Sequence, residues 1–150
     1  MEKAQRAGSV LSANEAMLWR AWKRACDVVT GRVAREIAEA TGLSDPDHAV
    51  LTLLVDLGQG TLRQQDLANA MAWHKSRLSH HLSRMEQRAL VRRRQTKANT
   101  VFVAITPLGR RTLRAARPVH TNAVRSQLIA RVPRAERTLF MSLLVRLTTE

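Results

Sequence analysis

The spacing of apolar positions divides the 150-residue chain into helix, strand and turn segments. Successive helical residues lie about 100° apart around the axis. Over residues 74–89 that rotation gathers Leu78, Leu82, Met85 and Ala89 in one narrow sector, which requires burial. Ser76, His80, Ser83, Arg84 and Gln87 fall on the opposite side, with Arg77 at its edge and Glu86 pointing sideways. That opposite face offers donors and positive charge and no acid. Upstream, Leu62, Leu67, Ala68 and Met71 mark a shorter helix. Downstream, Leu90 and Val91 lead into Arg92, Arg93 and Arg94. Val101-Phe102-Val103-Ala104-Ile105 has the β-branched, apolar character of a strand. The polar stretch 95–100 suits a hairpin tip, and Thr61-Leu62 is available as a minimal third strand. Residues 61–105 thus read as a helix pair followed by a small hairpin. Such a unit can place one helix in a DNA major groove with the hairpin tip beside it.

The flanks read as helices. Residues 1–11 are expected to fray. Ser12 and Glu15 have the spacing of a capping box, and the helix they open should run to about residue 40. Trp19, Trp22, Cys26, Val29, Val33 and Ile37 form its apolar stripe, and Gly42 stops it. Ser44 caps a second helix, with Pro46 in the first turn and Asp45 and Asp47 at its positive end. Ala49, Val50, Leu53, Leu54 and Leu57 are its expected buried positions, and Gly58 and Gly60 end it. Arg63 stands where Ser or Thr would cap the next helix better. Beyond the hairpin, Thr106 caps and Pro107 takes the first helical position. That helix should pass Leu113 and Val119 towards Leu128, kinked or interrupted at Pro118. Pro133 is expected to open the last helix, with Leu139, Phe140, Leu143, Leu144 and Leu147 on its apolar side.

Charge sharpens the picture. Hydrophobic residues make up 45% of the chain, enough for a packed core, yet the net charge is +13. Residues 1–60 carry 7 basic and 8 acidic side chains, whereas residues 61–97 and 98–150 each carry 9 and 2. The positive charge therefore begins where the helix pair begins, which favours nucleic acid as the partner. The late arginines, Arg110 to Arg137, read mainly as a solvated surface that adds long-range attraction. The single cysteine, Cys26, excludes an intrachain disulfide. No secretory signal or membrane-spanning apolar run is visible, so the expected placement is cytoplasmic, away from membranes. No phosphate-binding loop, dinucleotide glycine pattern, GxSxG or acid pair occurs, so no enzyme and no cofactor is expected. The five histidines do not form a metal pattern: His80 and His81 diverge, His74 and His81 alone could share a face, and no cysteine lies near. No metal site is expected.

The ordered set Leu67-Ala68, Lys75-Ser76-Arg77-Leu78-Ser79, Arg84-Met85-Glu86-Gln87-Arg88-Ala89-Leu90-Val91 and Ile105-Thr106-Pro107-Leu108-Gly109 resembles the MarR family of transcriptional regulators. The resemblance covers nearly the whole chain. It implies a mainly α protein with a small β-hairpin wing: a winged helix-turn-helix lobe over 44–106, flanked by dimerisation helices over 12–42 and 107–150. Two departures stand out. Family members usually carry Asp and Arg in the wing loop, and Thr96-Lys97-Ala98-Asn99-Thr100 has neither. Minor-groove contact would then fall to Lys97, Asn99 or Arg94. Ala89 stands where Gly is common, so the turn after the helix is expected to differ.

By this resemblance the chain is a homodimeric, sequence-specific regulator of transcription, a repressor on a pseudo-palindromic operator in double-stranded DNA. Ser76, Arg77, His80 and Arg84 are assigned to the groove, and Lys75, Arg63, Arg92, Arg93 and Arg94 to phosphates. Gln64, His74 and Ser79 complete the expected DNA contacts. Trp19 and Trp22 either pack a dimer core or line a ligand cavity, where Lys23 and His48 would meet a small aromatic or anionic effector; packing is favoured. Trp73 is read as packing the helix pair together. Cys26 is read as a core residue rather than a redox sensor, because it lies in the apolar stripe. Two alternatives remain open: a sequence-independent architectural nucleic-acid binder, and a redox or ligand sensor acting through Cys26.

Overall fold

The computed structural model describes residues 10–149. The fraying expected of the first eleven residues falls mostly on 1–9, outside the described residues. The elements are α1 (Ala13–Thr41), α2 (Asp45–Asp56), β1 (Thr61–Arg63), α3 (Gln64–Ala70), α4 (Lys75–Gln87), β2 (Val91–Gln95), β3 (Val101–Ile105), α5 (Pro107–Gln127) and α6 (Arg137–Thr148). All three predicted caps form, Thr106 Oγ1 accepting from the Gly109 N–H at 3.0 Å. Ser12 and Glu15 exchange side chain-to-backbone hydrogen bonds at the start of α1, and Ser44 and Asp47 do the same at α2. Gly42 ends α1 in the left-handed region at φ 72°, which costs glycine little.

The three strands form one antiparallel sheet in the order β1-β3-β2. Leu62 pairs with Val103, which pairs with Arg93; the next row is Arg63, Phe102 and Arg94. Paired residues share a face of the sheet and alternate rows face opposite ways. The inner face supplies Val91, Val103 and Ile105 to the core. There they meet Leu67 and Ala68 of α3, Leu78, Leu82 and Met85 of α4, and Val50, Leu51 and Leu54 of α2. Ile37 of α1 and Leu113 and Ala116 of α5 close the cluster. A side chain at Gly109 would collide with the Leu90 carbonyl and crowd Ile105, so the tight seating of α5 on the hairpin base requires glycine there.

Five local expectations are corrected. Ala89 is exposed rather than buried, because α4 ends at Gln87. The turn does not avoid the left-handed region: Ala89 enters it at φ 54°, and its carbonyl accepts a hydrogen bond from Thr106 Oγ1 at 2.6 Å. In α2, Leu51 is buried and Leu57, at the helix end, is exposed. Pro118 leaves α5 unbroken from Pro107 to Gln127. Pro118 and Arg114 are both exposed, so the carbonyl that loses its partner can bond water. Finally, Pro133 precedes a single 3-10 turn, Arg134–Glu136, and the last helix begins at Arg137.

The two ends of the chain leave apolar surface uncovered. α1 packs on α5, but Met17, Leu18, Trp19 and Trp22 in its first half are exposed. No residue of α6 is buried, and Leu139, Met141, Leu143, Val145 and Leu147 all face outward.

Candidate nucleic-acid interface

α4 is held on two sides and open on a third. On its wing side, Arg93 of β2 forms a clamp. Its backbone N–H and Nε donate to the two oxygens of Glu86 at 2.7 and 2.8 Å. Nη2 lies 2.7 Å from Glu86 Oε2 and donates to Ser83 Oγ at 2.8 Å. Nη1 donates to Ser79 Oγ at 3.3 Å. Such charge-assisted, multidentate contacts fix relative orientation as well as adding energy. Arg93 was expected at a phosphate, but its donors are engaged within the lobe.

On the other side, α4 is anchored to α2 through Asp47, which is 2% exposed. Asp47 Oδ2 accepts from Ser44 N–H at 2.9 Å and from Arg88 Nη1 at 2.6 Å. Arg88 Nη2 also donates to the Gly42 carbonyl at 2.7 Å. Burial pushes the Asp47 carboxyl up, but hydrogen bonds from Arg88 and Ser44 and the Arg88 charge outweigh it and leave the pKa lowered. Asp47 Oδ1 faces His81 Nε2 at 3.0 Å. Arg84 Nη2 approaches His81 Nδ1 at 3.1 Å. A guanidinium only donates, so this Nδ1 accepts and the ring proton sits on Nε2. The Nε2–Asp47 approach is close but makes no well-formed hydrogen bond; Nε2 is the one buried side-chain polar atom without such a partner among the described residues. Burial lowers the His81 pKa, Asp47 opposes the shift, and Arg84 adds to it.

The open face carries Ser76, Arg77, His80, Arg84 and Gln87, all exposed. Arg77 lies over the Trp73 ring, with its guanidinium carbon 3.8 Å from the centroid. Trp73 meets His81 edge-on at 5.6 Å. His74 and Lys75 are exposed at the start of α4. Ser79 and Ser83 are half-buried beside Arg93 rather than open. Gln64, expected at the surface, is buried at the start of α3.

Arg63, Arg92 and Arg94 lie with Phe102 on the outer sheet face, opposite Arg93. None of these three arginines has an ion-pair partner among the described residues. At the hairpin tip, Asn99 takes the left-handed position at φ 58° and its Oδ1 accepts from Gln95 Nε2 at 2.8 Å. A type I turn closed by a left-handed residue is a common hairpin loop. Lys97 is left exposed beside it.

The residues considered for a ligand do not converge within one chain. Lys23 Nζ sits 5.9 Å from the Trp19 ring centroid. His48 instead stacks on His120 of α5, with centroids 5.2 Å apart. Burial first, then the His120 charge, lowers the His48 pKa. Trp22 lies fifteen residues before Ile37, the α1 residue buried in the core, which is about 22 Å of helix. Among the described residues no group of three or more His, Cys, Asp or Glu is placed to hold a metal.

No protein-family model matches the chain. The transcriptional regulator HosA of Escherichia coli O127:H6 is 34% identical to it over 112 residues, 73% of this chain and 81% of HosA. AbsC, a MarR family transcriptional regulator from Streptomyces coelicolor, matches its structure with a TM-score of 0.82 and 29% identity, over 93% of this chain and 95% of AbsC. The chain belongs to the MarR family of transcriptional regulators. A second Streptomyces coelicolor member, Sco3205, was solved in complex with DNA; it matches with a TM-score of 0.79 and 26% identity, over 95% of this chain and 91% of Sco3205.

In this MarR-family regulator, α3 and α4 form the helix-turn-helix and β2–β3 the wing, as the sequence predicts. Three parts of the site went unread in the sequence: the Arg93 clamp, the Asp47–His81–Arg88 anchor and the Trp73–Arg77 stack. The first and last had a signal. Glu86 was the one acid on α4 and could only turn sideways, and Trp73 stands four residues before Arg77, one helical turn away.

Proposed function

We propose that this MarR-family regulator binds a pseudo-palindromic DNA operator as a homodimer, with α4 of each copy in successive major grooves. The open face of α4 carries this reading. It presents Ser76, Arg77, His80 and Arg84 with no acid among them, on a helix locked from both sides by Arg93 and Asp47. Lys75, Arg63, Arg92 and Arg94 supply phosphate contacts, with His74, Lys97 and Asn99 at the edges. Arg93 acts by holding the wing to α4. The exposed apolar residues of α1 and α6 support the dimer, since isolated chains rarely leave such surface open. Repression, and release by a small aromatic or anionic effector, are what the family resemblance implies. Trp19, Trp22, Lys23 and His48 are the residues we assign to that effector. The protein works in the cytoplasm and is no enzyme.

Duplexes selected from a random-sequence library test this reading, challenged with excess unselected DNA at physiological salt. A surviving complex of two chains per duplex, on a sequence with two-fold symmetry, is expected. Full competition by unselected DNA would identify a charge-driven architectural binder instead.

A further inference from the structure

Arginines in this lobe fall into three states. Arg88 and Arg93 are oriented, but their donors are used within the protein. Arg63, Arg92 and Arg94 have no side-chain hydrogen bond or ion pair among the described residues, and nothing holds them. On the groove face Arg84 is held in part as Arg88 and Arg93 are, its Nη2 spent on His81 Nδ1, whereas Arg77 is held without spending a donor. The flat guanidinium lies on the Trp73 ring at 3.8 Å, and no hydrogen bond or ion pair occupies its N–H groups among the described residues. Stacking on a ring face leaves the in-plane donors available. A guanine edge presents O6 and N7 to such a fork.

Trp73 is itself fixed. It follows Ala72, which is in the left-handed region at φ 51°, and its backbone N–H donates to the Ala68 carbonyl at 2.9 Å. Its ring is half-buried against the core and meets buried His81 edge-on, at 86° between planes. A run of close contacts therefore leads from Asp47, 3.0 Å from His81 Nε2, through His81 and Trp73 to Arg77. We propose that Trp73 is a positioning residue that holds Arg77 ready to read a guanine in each operator half-site. The inference rests on the sequence-specific reading above. Its physical content is that an arginine already ordered loses less freedom on binding than one free in solvent.

The test begins with operators selected by the wild-type dimer. At each guanine, binding is compared with the same duplex carrying another base pair, and with unselected DNA. Arg77→Lys keeps the charge and removes the planar fork; it should abolish preference at one guanine per half-site. Trp73→Leu should weaken preference at that same guanine about threefold to fivefold, the scale of an exposed cation–π contact. It should leave affinity for unselected DNA within about twofold of wild type. Trp73→Phe keeps an aromatic face in a similar volume and should fall between; it decides the matter if Trp73→Leu loses its helical circular dichroism. In the Arg77→Lys background, Trp73→Phe should change nothing further at the guanine. Preference unchanged in Trp73→Leu and Trp73→Phe, equal losses on operator and unselected DNA, or additive effects of the two positions would each overturn the role of Trp73. If Arg77→Lys keeps preference at every guanine, only this inference fails. If the wild type selects no sequence, the specific-operator reading fails with it.

Discussion

Replacing Asp47 by alanine removes the anchor between α2 and the recognition helix α4. The carboxylate accepts from the Ser44 N–H and from Arg88 Nη1, and it faces His81 Nε2 across 3.0 Å. Losing the capping box costs about 1 kcal/mol. That cost is the loss of the acceptor for the Ser44 N–H; His81 Nε2, which makes no hydrogen bond to the carboxylate, adds nothing to it. The Arg88 ion pair adds little, about 0.5 kcal/mol, because the Arg88 side chain is 45% exposed and turns to water. The expected loss is about 1.5 kcal/mol, or roughly 3–6 °C in Tm for a chain of this size. Asp47→Asn keeps the volume and an acceptor for Ser44 but loses the charge facing Arg88, so about half that loss is expected. Urea unfolding at one fixed chain concentration measures both, since association shifts apparent stability. A value for Asp47→Ala within about 0.5 kcal/mol of wild type would show that Asp47 does not anchor α4.

Arg93→Ala should leave the salt dependence of DNA binding unchanged, because its guanidinium is engaged with Glu86, Ser79 and Ser83. Arg94→Ala should flatten the log–log slope by roughly 0.9 if that side chain meets a phosphate; equal slopes for the two variants would contradict the division. His81 and His48 both have lowered pKa values, so each is neutral in the fold and takes up a proton more readily when unfolded. Stability should therefore be full above the ordinary histidine value of 6.5 and fall as pH drops below it. His81→Gln should reduce that decline in a thermal-melt series, and an unchanged pH profile would refute its part. The Asp47 contribution lies lower, present above 3.8 and lost as pH falls through its lowered folded value. Ala89→Gly should stabilise by about 0.5–1 kcal/mol, since an exposed alanine at φ 54° is strained more than glycine loses in unfolded freedom; a lower Tm would contradict this.

The helices, wing strands and caps were legible because each rests on local chemistry. Ser12, Ser44 and Thr106 cap as hydroxyls do, and Leu78, Leu82 and Met85 bury as their spacing demands. The open, acid-free face of α4 followed from the same geometry, read from the other side of the helix. Interactions between distant segments were not legible in this way. Asp47 and Arg88 lie forty-one positions apart, and nothing in either neighbourhood names the other. Arg93 was misassigned because in a run of three arginines the sequence does not say which faces inward; the register with Leu62 and Val103 decides it. Local rules also misjudged Ala89, whose carbonyl the Thr106 hydroxyl meets, and any interruption at Pro118, past which α5 runs on.

The Arg93 clamp also has a bearing on the DNA itself. With Glu86, Ser79 and Ser83 bound to one wing arginine, the distance and angle between the groove helix and the wing tip are set before any duplex arrives. A stiff two-pronged gauge cannot follow the local shape of its target. Where α4 and the wing both meet the duplex, as proposed above, its helical twist and groove width must adjust to them, at an elastic expense that differs among base steps. Base pairs lying between the two prongs, touched by no side chain, would then be chosen for how readily they deform.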